Sequence, residues 1–390
     1  MKQNAVKTLS LIIILLLTEA FSLNANTELK IKTNQIDFIS YASANINTVA
    51  TEHKVENANE KADTNKISSE LIPSESLNYS VNEFMIANSQ RYLIDGSTAL
   101  RATKLKPLEA SVLGACLVGI FYVQHEMQQN TIWKRVGKFH VLEDAKYSFY
   151  QDKLGHFYGT YMPSYVFGEA LMESGFSWDM GTILGSAMGL MYTGYVEVLD
   201  GMSQDFGFSP SDFYADIAGA SFYLAQHYFP VLQNFSPKFM YVNPVWHGQA
   251  SRKPHETFID DYSSQVLFIS INVHNLLPEN LKKYWPEWID LSFGRAVYSL
   301  ADPYVAGYKS DFDGIKRDNV EPYSYGNVRY IIALDYNLTK IIPDSWGFLN
   351  WFRQSLNYFK LPSPAIEFGK SSTKFYLLYP FQFNLGSLRF

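Results

Sequence analysis

Cysteine, charged residues and long apolar runs are all scarce in this chain. Its 390 residues include a single cysteine, Cys116, so no disulfide can form within the chain. Cys116 lies in an apolar run, which predicts a buried, unreactive thiol and argues against thiol catalysis. Charged residues make up 18%, compared with about a quarter in soluble domains. A net charge of −6, with no cluster of Lys and Arg among aromatics, argues against a nucleic-acid partner.

Common catalytic motifs are missing as well. The sequence has no glycine-rich phosphate loop, no His-Glu-x-x-His pair and no Gly-x-Ser-x-Gly elbow. Aromatic residues are abundant instead, with 27 Tyr and 28 Phe in a total aromatic content of 16%. This composition indicates much buried or lipid-facing surface, and it assigns no reaction.

The N-terminal region predicts export. Two lysines precede an apolar stretch at residues 9–17, which is shorter than the roughly 20 residues that a membrane span needs. We therefore interpret residues 1–25 as a signal peptide. Residues 26–89 are rich in Asn, Ser, Thr, Glu and Lys and show little periodic hydrophobicity, which predicts a disordered polar tether.

Residues 90–236 are predicted to form an apolar helical domain. The run from Ala110 to Val123 fits a buried helix or a shallow membrane segment, and a full span stays open. A second helix over about 145–174 is expected to bend at Pro163. Ser177 and Ser209 are the residue type that begins a helix, so each predicts the start of another one.

Glycines at four-residue intervals predict close helix packing. A strip without side chains lets a second backbone approach closely, either in a membrane helix pair or in a soluble bundle. The positions with this spacing are Gly181, Gly185 and Gly189, Gly155 and Gly159, and Ala215 and Gly219.

Residues 237–390 are predicted to be rich in β-strands. Side chains alternate along residues 328–338 and 375–385, which is strand periodicity, and two further strand candidates begin at about 265 and 288. Alternating aromatics are typical of outer-membrane β-barrel strands, but interspersed prolines favour a small antiparallel sheet. Leu349, Phe352, Leu356 and Phe359 share a helical face that would pack on a sheet or lie at an interface. The predicted fold class is α+β, a membrane-associated or apolar helical bundle followed by an antiparallel β-rich domain.

The predicted helices carry ionisable pairs at spacings that place each pair on one helical face. A buried carboxylate needs a cation, hydrogen bonds or a metal, so these side chains are expected to share one polar pocket. The predicted cluster consists of Asp152, Lys153, His156, Glu197, Asp200, Asp212 and Asp216.

Several of these residues also have simpler interpretations. Asp212 suits a helix cap, and Asp200 precedes a glycine at a helix end, where water would reach it. Asp216 and Glu197 lie among apolar neighbours without such an explanation. The catalytic candidates are His156, Asp152, Glu197 and Asp216, and the candidate ligands of a divalent metal are His156, Glu197 and Asp216.

Three functions follow from the cluster. The first is a non-catalytic, membrane-associated accessory protein in which the cluster locks the helices together. The second is a metal-dependent hydrolase or lipid-modifying enzyme that uses the cluster. The third is a binder of a small molecule or lipid between the helices.

The order of the charged residues also carries a resemblance. Asp152-Lys153-x-x-His156, then Glu197-x-x-Asp200, then Ser209-x-x-Asp212-x-x-x-Asp216 resembles a bacterial family of predicted periplasmic lipoproteins of unknown function. The motif is similar, more distantly, to VanZ-like membrane proteins. The resemblance covers about residues 146–228 and implies a location in the bacterial cell envelope, in the periplasm or outer membrane, with membrane or envelope partners. It implies no activity, and the lipid-bearing cysteine of a lipoprotein leader is absent.

Overall fold

The structure is a computed structural model that describes residues 77–242, 261–298, 300, 327–370, 372–382, 384–385 and 388–389. The predicted signal peptide and the predicted tether up to residue 76 lie outside the described residues. The described part confirms the α+β class, since long helices precede an antiparallel sheet along the chain.

Four long helices form the first half of the described chain. They are α1 (Pro107–Thr131), α2 (Gln151–Glu173), α3 (Trp178–Gly201) and α4 (Pro210–Tyr228). Ser177 and Ser209 cap α3 and α4, because their side chains accept hydrogen bonds from the backbone N–H groups of Met180 and Asp212. The predicted helix starts are therefore confirmed.

The glycine strip of α3 packs directly against α2. A Cβ at Gly185 would lie 2.6 Å from the Cα of Gly168, so only glycine fits there. Gly219 on α4 is in similar contact with the backbone of Phe157. Gly159 has the same spacing, but no atom lies within 4 Å of the place of its Cβ. The close contact predicted from glycine spacing is therefore confirmed on α3 and α4, and the one predicted at Gly159 is wrong.

The second half of the chain is built on a six-stranded antiparallel sheet. Its strands are β3 to β8, in that spatial order; two short hairpins, β1–β2 and β9–β10, lie outside it. The strand bounds are β1 (Met85–Ile86), β2 (Ser89–Gln90), β3 (Phe235–Tyr241), β4 (Gln265–Ile271), β5 (Ile289–Tyr298), β6 (Asn327–Tyr336), β7 (Ser363–Phe368), β8 (Thr373–Tyr379), β9 (Asn384–Leu385) and β10 (Leu388–Arg389).

Short helices connect and flank these strands. They are α5 (Val273–Leu276), α6 (Glu279–Lys282), α7 (Leu338–Ile341) and α8 (Gly347–Leu356), with 3₁₀ turns at Tyr147–Tyr150 and Pro230–Asn234. The predicted helix near 345–359 corresponds to α8.

The two faces of the sheet differ. One face covers a hydrophobic cluster that includes Val266, Phe268 and Ala333. The same face also buries Lys238 and Asp335, with Lys238 Nζ 2.8 Å from Asp335 Oδ2. The other face leaves a row of apolar side chains exposed across four neighbouring strands. The residues of this row are Phe293, Ile332, Ile366 and Phe375, each the register partner of the next.

Two expectations about burial are wrong. Cys116 is exposed, because α1 stands away from the other helices over most of its length. Residues 77–89, which the sequence assigned to the tether, are folded. Phe84 is fully buried and packs edge-on against Trp178, so this segment has enough apolar contact to be ordered despite its polar surroundings.

Candidate functional site

The predicted ionisable residues meet where α2 and α4 begin and α3 ends. His156 of α2 is at the centre. Its Nδ1 lies 3.2 Å from Asp216 Oδ1 and 3.5 Å from Glu197 Oε1. Its Nε2 lies 3.6 Å from Asp152 Oδ1 and 3.8 Å from Asp212 Oδ1. The imidazole is therefore surrounded by four carboxylates from three helices.

Lys153 supplies the main positive charge on the Nε2 side of this imidazole. Its Nζ lies 2.5 Å from Asp144 Oδ1, 2.7 Å from Asp152 Oδ2 and 2.5 Å from Asp212 Oδ1. Sequence reasoning missed Asp144, because it lies in a polar stretch before α2 where an acidic residue carries no signal.

The interpretation of Asp212 as a simple capping carboxylate is wrong. Its side chain pairs with Lys153, and the backbone N–H of Ser209 donates instead to Glu197 Oε2 at 3.2 Å. Glu197 of α3 thus completes the cap of α4, a connection between helices that local sequence cannot show.

Asp216 is the most deeply buried acid of the cluster, with no exposed surface. Thr160 Oγ1 donates a hydrogen bond to its Oδ1 at 2.8 Å, and the same hydroxyl lies 3.0 Å from Thr193 Oγ1. The second oxygen, Oδ2, is buried and has no hydrogen-bond partner among the described residues. A buried carboxylate oxygen without a donor is costly, so this atom is placed to bind a ligand.

Asp200, by contrast, is held away from the imidazole. It accepts a hydrogen bond from the indole Nε1 of Trp133 at 2.6 Å. Trp133 lies in the loop after α1, so Asp200 connects this loop to the end of α3, where it is half-buried.

The β-rich part contributes two residues that the sequence did not indicate, one in the turn before β4 and one in β5. Tyr262 donates a hydrogen bond to Asp152 Oδ1. Arg295 of β5 donates to the carbonyl of Phe149 and, at 2.9 Å, to Gln151 Oε1. Both belong to the β-rich part, more than a hundred residues after Asp152, so no local pattern relates them to the cluster.

Arg295 holds an unusual turn directly before α2. Ser148, Phe149 and Tyr150 all have positive φ, between 48° and 65°, which is rare outside glycine and disfavoured by about 1–2 kcal/mol per residue. This left-handed turn explains why α2 begins at Gln151 and not near 145 as predicted. It also fixes where Asp152, Lys153 and His156 emerge.

Burial and mutual repulsion perturb the acids of the cluster. Burial, opposed by His156, raises the pKa of Glu197 to about 7. Burial and the charge of Asp152 raise the pKa of Asp212 to about 9. Burial alone would lower the pKa of His156, but the charges of Asp212 and Asp152 outweigh it and raise that pKa well above the usual value. The cluster has more carboxylates than cations, so it retains protons or takes up a further cation.

The described residues also enclose a small cavity between the helices and the sheet. Arg91, Tyr161 and Tyr358 are among its lining residues, and its volume is about 50 Å³. That is room for a few waters, and ligand pockets are typically larger than about 300 Å³. No residue of the cluster lines this cavity.

Residues 142–227 match the model of a family described as "Predicted periplasmic lipoprotein (DUF2279)". The matched segment runs from just before the left-handed turn almost to the end of α4, so it contains every residue of the cluster. The match confirms the resemblance to that family and supports an exported, cell-envelope location for the chain. Comparison with curated proteins and with solved structures gave no match.

Proposed function

We propose that this chain is a membrane-associated accessory protein of the cell envelope, held at lipid by α1 and α8, with the histidine and carboxylate cluster locking α2, α3 and α4 together. The observation that carries the proposal is the orientation of α8. This helix buries its polar side chains and exposes its apolar ones.

A helix on a water-exposed surface normally shows the opposite arrangement. In α8, Arg353 turns inward and donates to the carbonyl of Ile342, while Gln354 is bonded to the carbonyl of Tyr92 at 2.9 Å. These buried bonds fix the rotation of the helix. The apolar side chains are therefore presented outward by the fold, which favours contact with a lipid surface.

The longest apolar helix presents the same kind of surface. α1 has 25 residues, and its most apolar window has a mean hydropathy of 1.4 and is 0% buried. Its apolar run, from Ala110 to Val123, extends about 21 Å at 1.5 Å per residue, compared with about 30 Å for the hydrocarbon core of a bilayer, so α1 suits partial insertion. Lys106 precedes the apolar run, as suits a headgroup layer, and the last turns of the helix are polar and contact Tyr195 of α3 through His125.

α1 and α8 begin at the same end of α2. The backbone N–H of Lys106, just before α1, donates to the carbonyl of Ser174 at 2.9 Å. Asp95 donates its backbone N–H to Glu173 at 3.1 Å, and the next residue, Gly96, lies against Gly347, the first residue of α8. One lipid surface can therefore reach both helices.

Cys116 allows a direct test, since it is the chain's single cysteine and it is exposed on α1. An environment-sensitive maleimide dye on Cys116 is expected to shift its emission to the blue, and to lose accessibility to iodide, when lipid vesicles are added. A matched control carries Cys116→Ser together with Glu279→Cys, which labels the charged helix α6. A dye on Cys116 that behaves like the dye at position 279 would contradict the proposal.

Variants of α8 test the second contact. Phe348, Leu349 and Phe352 are about two fifths exposed, so removing them should weaken lipid binding by roughly 2 kcal/mol, or roughly 30-fold. Vesicle flotation of the triple serine variant measures this loss. Tyr284→Ser, at a more exposed aromatic beside α6, is the control and should float as the wild type does. Equal flotation of all three proteins would argue against α8 as a lipid contact.

A further inference from the structure

We propose that His156 Nδ1, Glu197 and Asp216 bind a divalent transition-metal ion of the zinc type. This inference goes beyond membrane association and does not depend on it. It rests on three observations: the spacing of the donor atoms, the partner of the second imidazole nitrogen, and the unpartnered oxygen of Asp216.

The spacing fits a tetrahedral ion. Two ligand atoms each about 2.1 Å from a tetrahedral zinc are about 3.4 Å apart. Nδ1 of His156 lies 3.2 Å from Asp216 Oδ1 and 3.5 Å from Glu197 Oε1, and one donor atom from each of the three side chains lies within 4.8 Å of the others. An ion can therefore enter between them with little movement of the helices.

The other imidazole nitrogen faces a carboxylate, as in most metal-bound histidines. Nε2 points toward Asp152, which Tyr262 holds in place. A proton on Nε2 leaves the lone pair of Nδ1 for the metal. Lys153 already supplies a cation on the Nε2 side, whereas no lysine or arginine pairs with Glu197 or Asp216 among the described ion pairs.

The two carboxylates are each held by one oxygen. Glu197 Oε2 accepts from the backbone of Ser209, and Asp216 Oδ1 accepts from Thr160. Oε1 of Glu197 remains directed at the imidazole, and Oδ2 of Asp216 is fully buried without a donor in the described part of the chain. An ion at Oδ1 is also within reach of Oδ2 of the same carboxylate, so bidentate binding by Asp216 would satisfy that oxygen as well as offset the excess negative charge.

One nitrogen and two carboxylate ligands select the ion. Imidazole favours zinc and its neighbours over calcium, which prefers six to eight oxygens. Three protein ligands also leave a fourth position for water, and His156 is 20% exposed, so solvent reaches the site.

The test is titration of tag-free, full-length, metal-stripped protein with Zn²⁺, and separately with Ca²⁺, by calorimetry. The wild type is expected to bind one Zn²⁺ and to bind Ca²⁺ far more weakly. Asp216→Asn and Glu197→Gln should each weaken Zn²⁺ binding on the order of 100-fold or more, as loss of a direct ligand exceeds the 10- to 100-fold effects of outer-shell changes.

Asp144→Asn is the charge-matched control. It removes the same charge from the same cluster, but Asp144 contacts Lys153 and Ser209. Its Zn²⁺ affinity should stay close to that of the wild type. No binding by the wild type, unchanged binding by Asp216→Asn, or an equal loss in Asp144→Asn would overturn the proposal.

A measurement on the wild type covers the case in which the variants fail to fold. X-ray absorption at the zinc edge should show one imidazole and otherwise oxygen ligands. Two or more imidazoles, or a sulfur ligand, would place the ion elsewhere in the chain and would also overturn the proposal.

Discussion

Two glycine-to-alanine substitutions on neighbouring helices should change stability in opposite directions. At Gly185 of α3 the new methyl group would lie 2.6 Å from both Cα and N of Gly168 and 2.8 Å from the carbonyl oxygen of Ser164. Carbon atoms in good contact are about 3.5–4.0 Å apart, so α2 and α3 must separate by about 1 Å. At Gly159 of α2 the methyl group meets no atom within 4 Å.

The magnitudes follow from these distances. Forcing a methyl group into a packed interface costs about 1–3 kcal/mol and occasionally more, while alanine is favoured over glycine in a helix by about 1 kcal/mol. Gly185→Ala should therefore lose about 2 kcal/mol of unfolding free energy. Gly159→Ala should gain up to about 1 kcal/mol, because only the helical preference applies there.

Thermal unfolding followed by circular dichroism, in one detergent for all proteins, measures both changes. At about 2.1 cal/mol/K of unfolding entropy per residue, 1 kcal/mol corresponds to about 1 °C for a chain of 390 residues. Gly185→Ala should therefore lower the Tm by about 2 °C, and Gly159→Ala should raise it by up to about 1 °C. The reasoning would be refuted if both variants moved the Tm in the same direction, since close helix approach would then not distinguish the two positions.

Three other perturbations have defined outcomes. Lys153→Met should lower the unfolding free energy by about 3–5 kcal/mol, because it leaves buried carboxylates without their cation. Denaturant unfolding measures this change, and Lys153→Arg should lower the unfolding free energy much less. Glu169→Gln should cost a similar amount, since it leaves buried Arg91 unpaired, and an unchanged denaturation midpoint would count against that pair. Burial raises the pKa of Asp290 to about 7, so the folded state keeps a proton that the unfolded state loses near pH 4. Asp290 should therefore contribute a loss of stability of roughly 4 kcal/mol between pH 4 and 7, and Asp290→Asn should reduce the slope by that amount in urea titrations at stepped pH.

Sequence patterns predicted those parts of the fold that depend on neighbouring residues. The helix caps at Ser177 and Ser209 and the alternation along β6 are local, and the structure confirms them. The alternation predicted for residues 375–385 is confirmed only at its start, since β8 ends at Tyr379, which is buried while Phe375 and Leu377 are exposed. The strands β3 and β7 were not predicted, because Pro237 and Pro364 suggest a break. Pro237 is tolerated because β3 is the first strand of the sheet order, and Pro364 lies at a register shift near the start of β7.

Sequence patterns also predicted part of the candidate site. Helical spacing placed the acids and His156 on faces that could meet, and the need to satisfy buried charges implied that they do. The supports from Tyr262 and Arg295 were not predictable, since they depend on how the sheet is placed against α2. The exposed face of α8 could not be predicted either. Periodicity shows that the helix has an apolar face, but it does not show whether that face packs against the protein or points away from it.

The hydrogen bond from Arg295 to the left-handed turn would be lost if the segment matched to the family were expressed alone. Residues 142–227 end before Tyr262 and Arg295, so a fragment of that length would lack the guanidinium that keeps Phe149 in its rare conformation. The turn would relax toward an ordinary helical path, and the first residues of α2 would rotate. In this chain, Arg295 of β5 therefore helps to orient the start of α2 and, with it, the side chain of His156. A related segment joined to a different C-terminal part would need another residue to replace Arg295.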